Sequence, residues 1–200
     1  AWISKALSDY GCSNLAYRLL QQDSFPSWIY PIKNGATTIW ERLNSYTKED
    51  GFGNNNSMNS FNHYSFGAVV AWMYNYSLGI RRDENSPGFK HFILQPETDS
   101  TGGITHAKGH YDSMYGRINS SWQKLEGRTE YCFTVPANTS ATLFLPAKSR
   151  KDILESDKKT GRKMGKKIGK KNPGIQYLGK VNGLHKMELL SGEYHFIVME

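Results

Sequence analysis

The spacing of hydrophobic residues changes once along the chain, near residue 80. Before that point, hydrophobic positions recur at the three- to four-residue intervals of amphipathic helices. After it, hydrophobic and polar residues alternate, which is typical of strands with one buried face. The pattern therefore predicts an α+β chain in which a helical domain, residues 1–79, precedes a β-sheet domain, residues 80–200.

Three short helices are predicted at the start of the chain. The first has Ile3, Ala6 and Leu7 on one face and ends before Gly11, a residue that favours the C-terminal end of a helix. The second begins at Ser13, which is a good N-terminal cap. The third begins within the segment FPSWIY, residues 25–30, because proline is tolerated in the first turn of a helix.

The longest predicted helix begins at Asn59 or Ser60 and ends at Gly79. Its apolar positions follow the i, i+3, i+4, i+7 spacing of one helix face. They are Phe66, Val69, Val70 and Met73.

Turn residues divide the second part into short segments of alternating character. Proline and glycine clusters mark the ends of these segments, as expected for turns between strands. Short strands separated by turns favour a two-sheet β-sandwich. The predicted strands cover residues 89–95, 104–112, 115–124, 129–135, 140–145, 184–190 and 193–199.

The net charge of +7 has a local origin. Residues 158–171 contain eight Lys or Arg and no acidic residue, out of 25 Lys and Arg and 18 Asp and Glu in the whole chain. Without this segment the charges nearly balance. Three glycines in the same segment disfavour a helix. We therefore expect a solvated loop and no nucleic-acid partner, although a patch for an anionic polymer stays an alternative.

Other features exclude further classes of protein. No hydrophobic run approaches the roughly 18 residues of a membrane helix, so no membrane partner is expected. Cys12 and Cys132 are isolated in sequence, which predicts free thiols and provides no zinc-ligand spacing. No cofactor is predicted. Helix-like sequence starts directly after Ala1, and we expect the chain to be a piece of a longer protein.

One short region combines residue types that suit sugar chemistry. Glu41 follows Trp40 at the end of an apolar run, and His63 lies 22 residues later, after a loop rich in Gly and Asn. A carboxylate transfers protons, an imidazole hydrogen-bonds hydroxyls, and an indole covers the apolar side of a sugar ring. The alternative is a surface glutamate and a histidine at a helix start.

Longer motifs in the same region resemble a known enzyme family. The segments GATTIWERL (35–43) and NSFNHYSFGAVVAWMYNYSLGIRRDENSPGFKHFILQP (59–96) are similar to the end of the catalytic domain in the α-L-rhamnosidases of glycoside hydrolase family 78. LAYRLL, FPSWIY, YDSMYGRINSSW, VPANTSATLFLP and SGEYHFIV keep the same order. The resemblance implies an inverting glycosidase with the terminal helices of an (α/α)6 barrel followed by an antiparallel β-sandwich.

The resemblance also implies roles for individual residues. Glu41 matches the general base, His63 matches a sugar-contacting histidine, and Trp40 is expected to line the substrate pocket. Inverting hydrolysis needs a second carboxyl group, roughly 6.5–9.5 Å from the first. In the family, this general acid lies upstream of the region that this chain covers. The expected partners are therefore a rhamnose-containing glycoside or polysaccharide and the upstream part of the same polypeptide.

Two functions remain open at this point. The first is a fragment of an α-L-rhamnosidase that is inactive alone. The second is a carbohydrate-binding or structural β-sandwich module without catalysis. Exposed aromatic residues in a row on one sheet face, such as Tyr111, Tyr115 and Trp122, favour binding, whereas the same residues buried between two sheets favour a structural role. The remaining histidines, at positions 91, 106, 110, 185 and 195, are expected on strands.

Overall fold

The structure is a computed structural model that describes residues 2–53, 59–156, 166–167 and 172–200. Two compact units are present. The helical unit comprises Ala1–Met73 and Asp99–Gly103, and the sandwich unit comprises Tyr74–Thr98 and Ile104–Glu200. Compact units are not the same as sequence domains, and the domain boundary predicted at residue 79 stays a prediction.

The first two helices are confirmed. They are α1, Trp2–Asp9, and α2, Ser13–Gln21. Gly11 between them has φ +77°, and the Cys12 N–H donates to the Leu7 carbonyl at 2.7 Å. Such a left-handed glycine satisfies the last carbonyls of a helix, as the sequence predicted.

The third helix, α3, covers Ile29–Lys33 and begins later than predicted. The Ser27 hydroxyl accepts from the Tyr30 N–H at 3.0 Å, as a residue at the start of a helix does. Pro26 therefore lies before the helix, and Pro31 lies within its first turns.

The fourth helical segment runs from residue 65 to residue 77. It consists of a 3-10 turn, Ser65–Ala68, an α-helical turn α4, Val69–Trp72, and a π-helical turn, Met73–Ser77. The prediction that it begins at Asn59 or Ser60 is wrong. The Ser60 carbonyl accepts from the Glu41 N–H and the Phe61 carbonyl accepts from the Thr38 hydroxyl, so the carbonyls that the first helical turn would use are bound to another segment.

The predicted end of this helix near Gly79 is confirmed. Gly79 has φ +70°, and a Cβ atom there would lie 2.1 Å from the Pro96 nitrogen. Only glycine has both the required backbone freedom and the required lack of a side chain.

Polar side chains fill much of the interior of the helical unit. Ser4 and Ser8 are the buried residues of α1, whereas Ile3 is 57% exposed. The Trp72 Nε1–H donates to the Ser8 hydroxyl at 2.8 Å, and the Trp72 ring packs edge-on against Tyr17 at 5.0 Å. The face of α1 that carries Ile3 and Ala6 is therefore exposed in this structure.

Eleven strands are described in the sandwich unit. They are β1 (Ile80–Arg82), β2 (His91–Leu94), β3 (His106–Ser113), β4 (Gly116–Leu125), β5 (Arg128–Val135), β6 (Ser140–Pro146), β7 (Ile153–Glu155), β8 (Lys166–Lys167), β9 (Ile175–Val181), β10 (Leu184–Leu189) and β11 (Gly192–Met199).

These strands form two sheets, as expected for the predicted β-sandwich. One sheet has the order β1-β2-β6-β10-β9, and the other has the order β3-β4-β5-β11-β7-β8. Neighbouring strands are antiparallel except β2 and β6, which are parallel. The predicted fold, barrel-type helices followed by an antiparallel sandwich, thus holds with one parallel strand pair.

All seven predicted strands are present, but four others were missed. β1 and β7 have three residues each and β8 has two, which is too short for alternation to be visible. β9 is a strand at the edge of its sheet, and its register with β10 shifts between Lys186 and Met187. Gly179, with φ +122°, interrupts its pattern.

Alternating residues of both sheets form the hydrophobic core. Trp122 is 2% exposed and its Nε1–H donates to the Ser77 carbonyl at 2.8 Å, so this residue has a structural role. Tyr111 and Tyr115 are 40% and 37% exposed, and the predicted row of three exposed aromatics is therefore absent. Other residues of this core are Phe92, Leu94, Ile118, Tyr131, Phe133, Leu143, Leu145, Met187, Leu189 and Phe196.

The remaining predictions concern the cysteines, the histidines, the basic segment and membrane helices. Cys12 and Cys132 are free, half-buried thiols, as predicted. The five histidines beyond His63 all lie on strands, also as predicted. The basic segment 158–171 lies outside the described residues except for Lys166–Lys167. In the described part of the chain, no helix is both long and apolar enough to cross a membrane.

Candidate active site

Two irregular segments of the helical unit are joined by hydrogen bonds and carry the predicted site residues. The Glu41 N–H donates to the Ser60 carbonyl at 2.8 Å, and the His63 N–H donates to the Ile39 carbonyl at 2.7 Å. The Thr38 hydroxyl also bonds the Phe61 carbonyl. These bonds bring together two sequence regions that lie about twenty residues apart, so Glu41 and His63 belong to one local structure.

The Glu41 carboxylate is held by the opposite segment. Its Oε2 accepts from the Ser60 N–H at 2.8 Å, and the residue is half-buried. An ionised carboxylate offers about four acceptor sites, and this bond occupies one of them. The carboxylate is therefore oriented by the backbone and keeps the capacity to accept a proton from water.

The turn that follows Glu41 is fixed to the same segment. The buried Ser45 hydroxyl lies 2.7 Å from the Arg42 carbonyl and 2.7 Å from Asn59 Oδ1. Asn59 directly precedes Ser60, the donor to Glu41. Sequence reasoning missed both residues, because their spacing follows no helical or strand period.

His63 lies two residues before the fourth helical segment. Its Nε2 is 3.0 Å from the Ser65 hydroxyl, and its ring stacks on Tyr64 with centroids 5.7 Å apart. His63 is half-buried and Tyr64 is exposed. A ring nitrogen and an adjacent aromatic face are both suited to contacts with a polar cyclic ligand.

Trp40 is packed within a cluster of aromatic rings. It is 7% exposed and makes edge-on contacts with Phe61, at 5.2 Å, and with Tyr46, at 6.5 Å. Phe52 contacts both Tyr46 and Phe61 and is itself largely exposed. The sequence pointed to Trp40 alone, whereas the structure surrounds it with three further rings that share no regular spacing.

The other acidic groups of the helical unit have different surroundings. Asp23 pairs with Lys33, whose hydrogen bond holds the pKa of Asp23 below its usual value. Glu49 and Asp50 lie exposed beside a turn closed by Thr47 and Gly51. Asp99 is fully buried and accepts from Gln21 and Thr101, at 2.9 and 2.7 Å. Asp99 belongs to the helical unit although it lies beyond residue 80 in the sequence.

The described part of the chain contains no candidate metal centre. Among those residues, no group of three or more His, Cys, Asp and Glu side chains is arranged to hold a metal ion. The chemical groups that the site offers are a carboxylate, an imidazole and aromatic rings. Such a set suits proton transfer and sugar binding.

Family models identify both parts of the chain. Residues 1–77 match the bacterial alpha-L-rhamnosidase 6 hairpin glycosidase domain, and residues 79–160 match the bacterial alpha-L-rhamnosidase C-terminal domain. An α-L-rhamnosidase from Streptomyces avermitilis is 40% identical over 141 residues, which are 70% of this chain and 13% of that protein. One from Alteromonas sp. is 41% identical over 145 residues, 72% of this chain and 15% of that protein.

Solved structures agree with these matches. The crystal structure of Streptomyces avermitilis α-L-rhamnosidase complexed with L-rhamnose superposes with a TM-score of 0.80 and 31% identity, over 98% of this chain and 17% of that one. The α-L-rhamnosidase from Dictyoglumus thermophilum gives a TM-score of 0.77 and 28% identity, over 99% of this chain and 20% of that one. The chain thus spans less than a fifth of the length of the first relatives it matches.

Proposed function

Because the chain belongs to the bacterial α-L-rhamnosidase family, we propose that it is a fragment of an inverting enzyme that hydrolyses terminal α-L-rhamnosides. The relatives named above are α-L-rhamnosidases, and one was crystallised with L-rhamnose. The family match includes part of the six-hairpin glycosidase domain, which is the catalytic domain that the sequence resemblance implied. The substrate is a rhamnose-containing glycoside or polysaccharide.

Glu41 acts as the general base in this proposal. The observation that carries it is the Ser60 N–H bond to Glu41 Oε2, which orients the carboxylate while other lone pairs stay available. A base must accept a proton from the attacking water, and a fixed direction of its lone pairs places that water reproducibly. The water then attacks the anomeric carbon from the face opposite the leaving group.

His63 binds a hydroxyl of the rhamnose ring. The two ring nitrogens of His63 can contact two oxygens, or one sugar oxygen and the Ser65 hydroxyl. Trp40 contributes to the wall of the site through the aromatic cluster with Tyr46, Phe52 and Phe61. Because Trp40 itself is nearly buried, its effect on the sugar is expected to depend on these neighbouring rings.

The general acid belongs to the upstream part of the same polypeptide. Inverting hydrolysis requires an acid that protonates the leaving oxygen, and the loss of an acid or base lowers the rate by about 10²–10⁴-fold. We therefore expect the isolated chain to be inactive. An aryl α-L-rhamnoside assay of the isolated chain tests this directly, and turnover within about tenfold of the complete enzyme would contradict it.

The decisive experiment substitutes Glu41→Gln in the complete polypeptide. Glutamine keeps the size and can still accept from the Ser60 N–H, but it does not take up a proton. We expect kcat to fall by about 10²–10⁴-fold with KM nearly unchanged. Azide is expected to restore part of the turnover and to give a product of inverted configuration, because it replaces the activated water.

Two further variants serve as controls. Glu49→Gln changes an exposed glutamate in the neighbouring turn and should leave kcat unchanged. His63→Ala should mainly lower kcat/KM through a higher KM, since it removes a sugar contact rather than the proton acceptor. A Glu41→Gln enzyme with normal kcat would assign Glu41 a structural role beside Trp40.

A further inference from the structure

Three surface segments meet at one end of the sandwich unit and expose aromatic residues. They are the loop 86–90, the turn 113–116 between β3 and β4, and the turn 136–139 between β5 and β6. The Ser140 N–H donates to the Lys90 carbonyl at 3.2 Å, and the Lys90 ammonium donates to the Asn138 carbonyl at 2.5 Å. A Cβ on Gly116 would lie 3.4 Å from the Pro136 side chain. These contacts join the three segments into one surface.

The name aromatic platform is used here for the Phe89, Tyr111 and Tyr115 rings of this surface, which are linked through the neighbours Phe89 and Lys90. Phe89 and Tyr111 are in contact, with centroids 4.6 Å apart, and Phe89 also approaches the buried Phe92 at 6.3 Å. The Lys90 ammonium lies 5.1 Å from the Tyr115 ring centroid. Tyr111 and Tyr115 are each more than a third exposed, so the platform is anchored on the core and open to solvent.

Two local features of the platform do not help to stabilise the folded state. Phe89 has a left-handed φ of +63°, which bulky residues rarely adopt, whereas asparagine adopts the +61° of Asn138 more readily. The tip of the β3–β4 hairpin carries Met114 and Tyr115, and Met114 is 81% exposed, where polar residues and glycine are usual. Strain and exposed apolar groups concentrate at binding sites.

We propose that the surface formed by Phe89, Lys90, Tyr111, Met114 and Tyr115 is a glycan-binding site. The exposed part of each tyrosine ring can cover the apolar side of a pyranose ring. The Lys90 ammonium has three N–H donors, one of which bonds Asn138, and it can donate to a sugar hydroxyl. The choice of a glycan as ligand rests on the proposed function, whereas the site itself is independent of Glu41.

The experiment measures binding by the 200-residue chain in native affinity electrophoresis. The probes are a soluble polysaccharide with terminal α-L-rhamnose residues and dextran, which lacks rhamnose. We expect the rhamnose polysaccharide to retard the chain. Tyr111→Ala and Tyr115→Ala should each weaken the apparent affinity by about two- to tenfold, because a ring contact contributes about 0.5–1.5 kcal/mol. Tyr115→Phe should retain most of the binding, since it keeps the ring.

Matched variants separate this site from the proposed active site. Tyr10→Ala removes an exposed tyrosine of the helical unit and should not change the retardation. Glu41 and His63 are intact in Tyr111→Ala and Tyr115→Ala, so a loss of retardation in these two variants reports on the sandwich surface and not on the proposed active site. A failure of the catalytic proposal therefore does not affect this test. Thermal unfolding of each variant verifies that the sandwich is folded, and variants that unfold are replaced by Met114→Ser, at the exposed tip.

Three results would overturn the inference. The first is a wild-type chain that neither polysaccharide retards. The second is retardation that Tyr111→Ala and Tyr115→Ala leave unchanged. The third is a wild-type dimer in sedimentation experiments that Tyr115→Ala converts to a monomer, because the surface would then serve self-association rather than glycan binding.

Discussion

The two units of the chain treat their large apolar side chains differently. The sandwich unit buries them between its sheets, and side chains such as Ile118, Leu143 and Phe196 have no measurable exposure. The helical unit buries Tyr17, Trp40 and Trp72 together with two serines of α1, and leaves many other apolar side chains on its surface. These exposed residues are Trp2, Ile3, Tyr10, Leu15, Phe25, Ile32, Ile39, Phe52, Tyr64 and Val70.

This difference shows that amphipathic patterning and burial are separate properties. A pattern determines which face of an element is apolar, but burial requires a second layer to cover that face. The two sheets of the sandwich cover each other within one continuous stretch of sequence. Among the described residues, nothing covers the face of α1 that carries Ile3 and Ala6.

The largest expected effect comes from truncating one isoleucine side chain in each unit. Ile118→Ala leaves a cavity in the sandwich core and should lower its free energy of unfolding by about 2–5 kcal/mol. Ile3→Ala removes a mostly exposed side chain and should change the stability of the helical unit by less than about 0.5 kcal/mol. Amide hydrogen exchange is followed in peptides of each unit at several urea concentrations. It gives the free energy of unfolding of each unit. Equal losses would show that the α1 face is covered in solution.

A smaller effect is expected from the polar interior of the helical unit. Ser8→Ala removes the acceptor of the buried Trp72 Nε1–H and should destabilise the unit by about 1–3 kcal/mol. Hydrogen exchange in α2 and α4 measures the loss, and exposed Ser24→Ala is the control. The double variant Ser8→Ala/Trp72→Phe should lose less than the sum of its parts, because no buried donor is left unpaired. An additive result would mean that this hydrogen bond contributes nothing.

The helices and strands whose apolar residues recur at a regular spacing could be predicted from the sequence. α1, α2 and seven strands follow from spacing and turn residues, because one face of each strand and its flanking turns are encoded locally. The start of the fourth helix could not be predicted. Ser60 is a good cap by residue type, but its carbonyl, which would accept the first bond of a helix, accepts from the Glu41 N–H of a distant segment, and such a bond leaves no local signal.

Only some residues of the candidate site could be predicted from the sequence. Residue types and resemblance pointed to Glu41, His63 and Trp40, and these predictions are still untested. Ser45 and Asn59 are brought together by hydrogen bonds between two segments that are distant in sequence. The spacing of apolar residues carries no signal for such bonds. The aromatic platform was also only partly visible, because alternation alone does not distinguish the buried Trp122 from the half-exposed Tyr111.

The smallest expected effect concerns pH and is confined to the sandwich unit. His185 on β10 is buried, and its Nδ1 lies 2.8 Å from the Tyr177 hydroxyl. Burial lowers the pKa of His185 below 6.5, the nearby positive charges of Lys180 and Arg150 act in the same direction, and the Ala147 carbonyl and Asp152 oppose them. The unfolded chain therefore binds a proton at His185 at a higher pH than the folded chain does.

The sign of the pH dependence follows from this difference. The contribution of neutral His185 to stability is fully present above the unfolded pKa of about 6.5 and is lost as the pH falls below it. The free energy of unfolding of the sandwich unit should thus decrease between pH 7 and pH 5. His185→Gln should flatten this decrease, whereas His106→Gln, at an exposed position on β3, controls for the loss of one imidazole. Urea titrations at several pH values measure the slope, and an unchanged slope in His185→Gln would assign the effect to other groups.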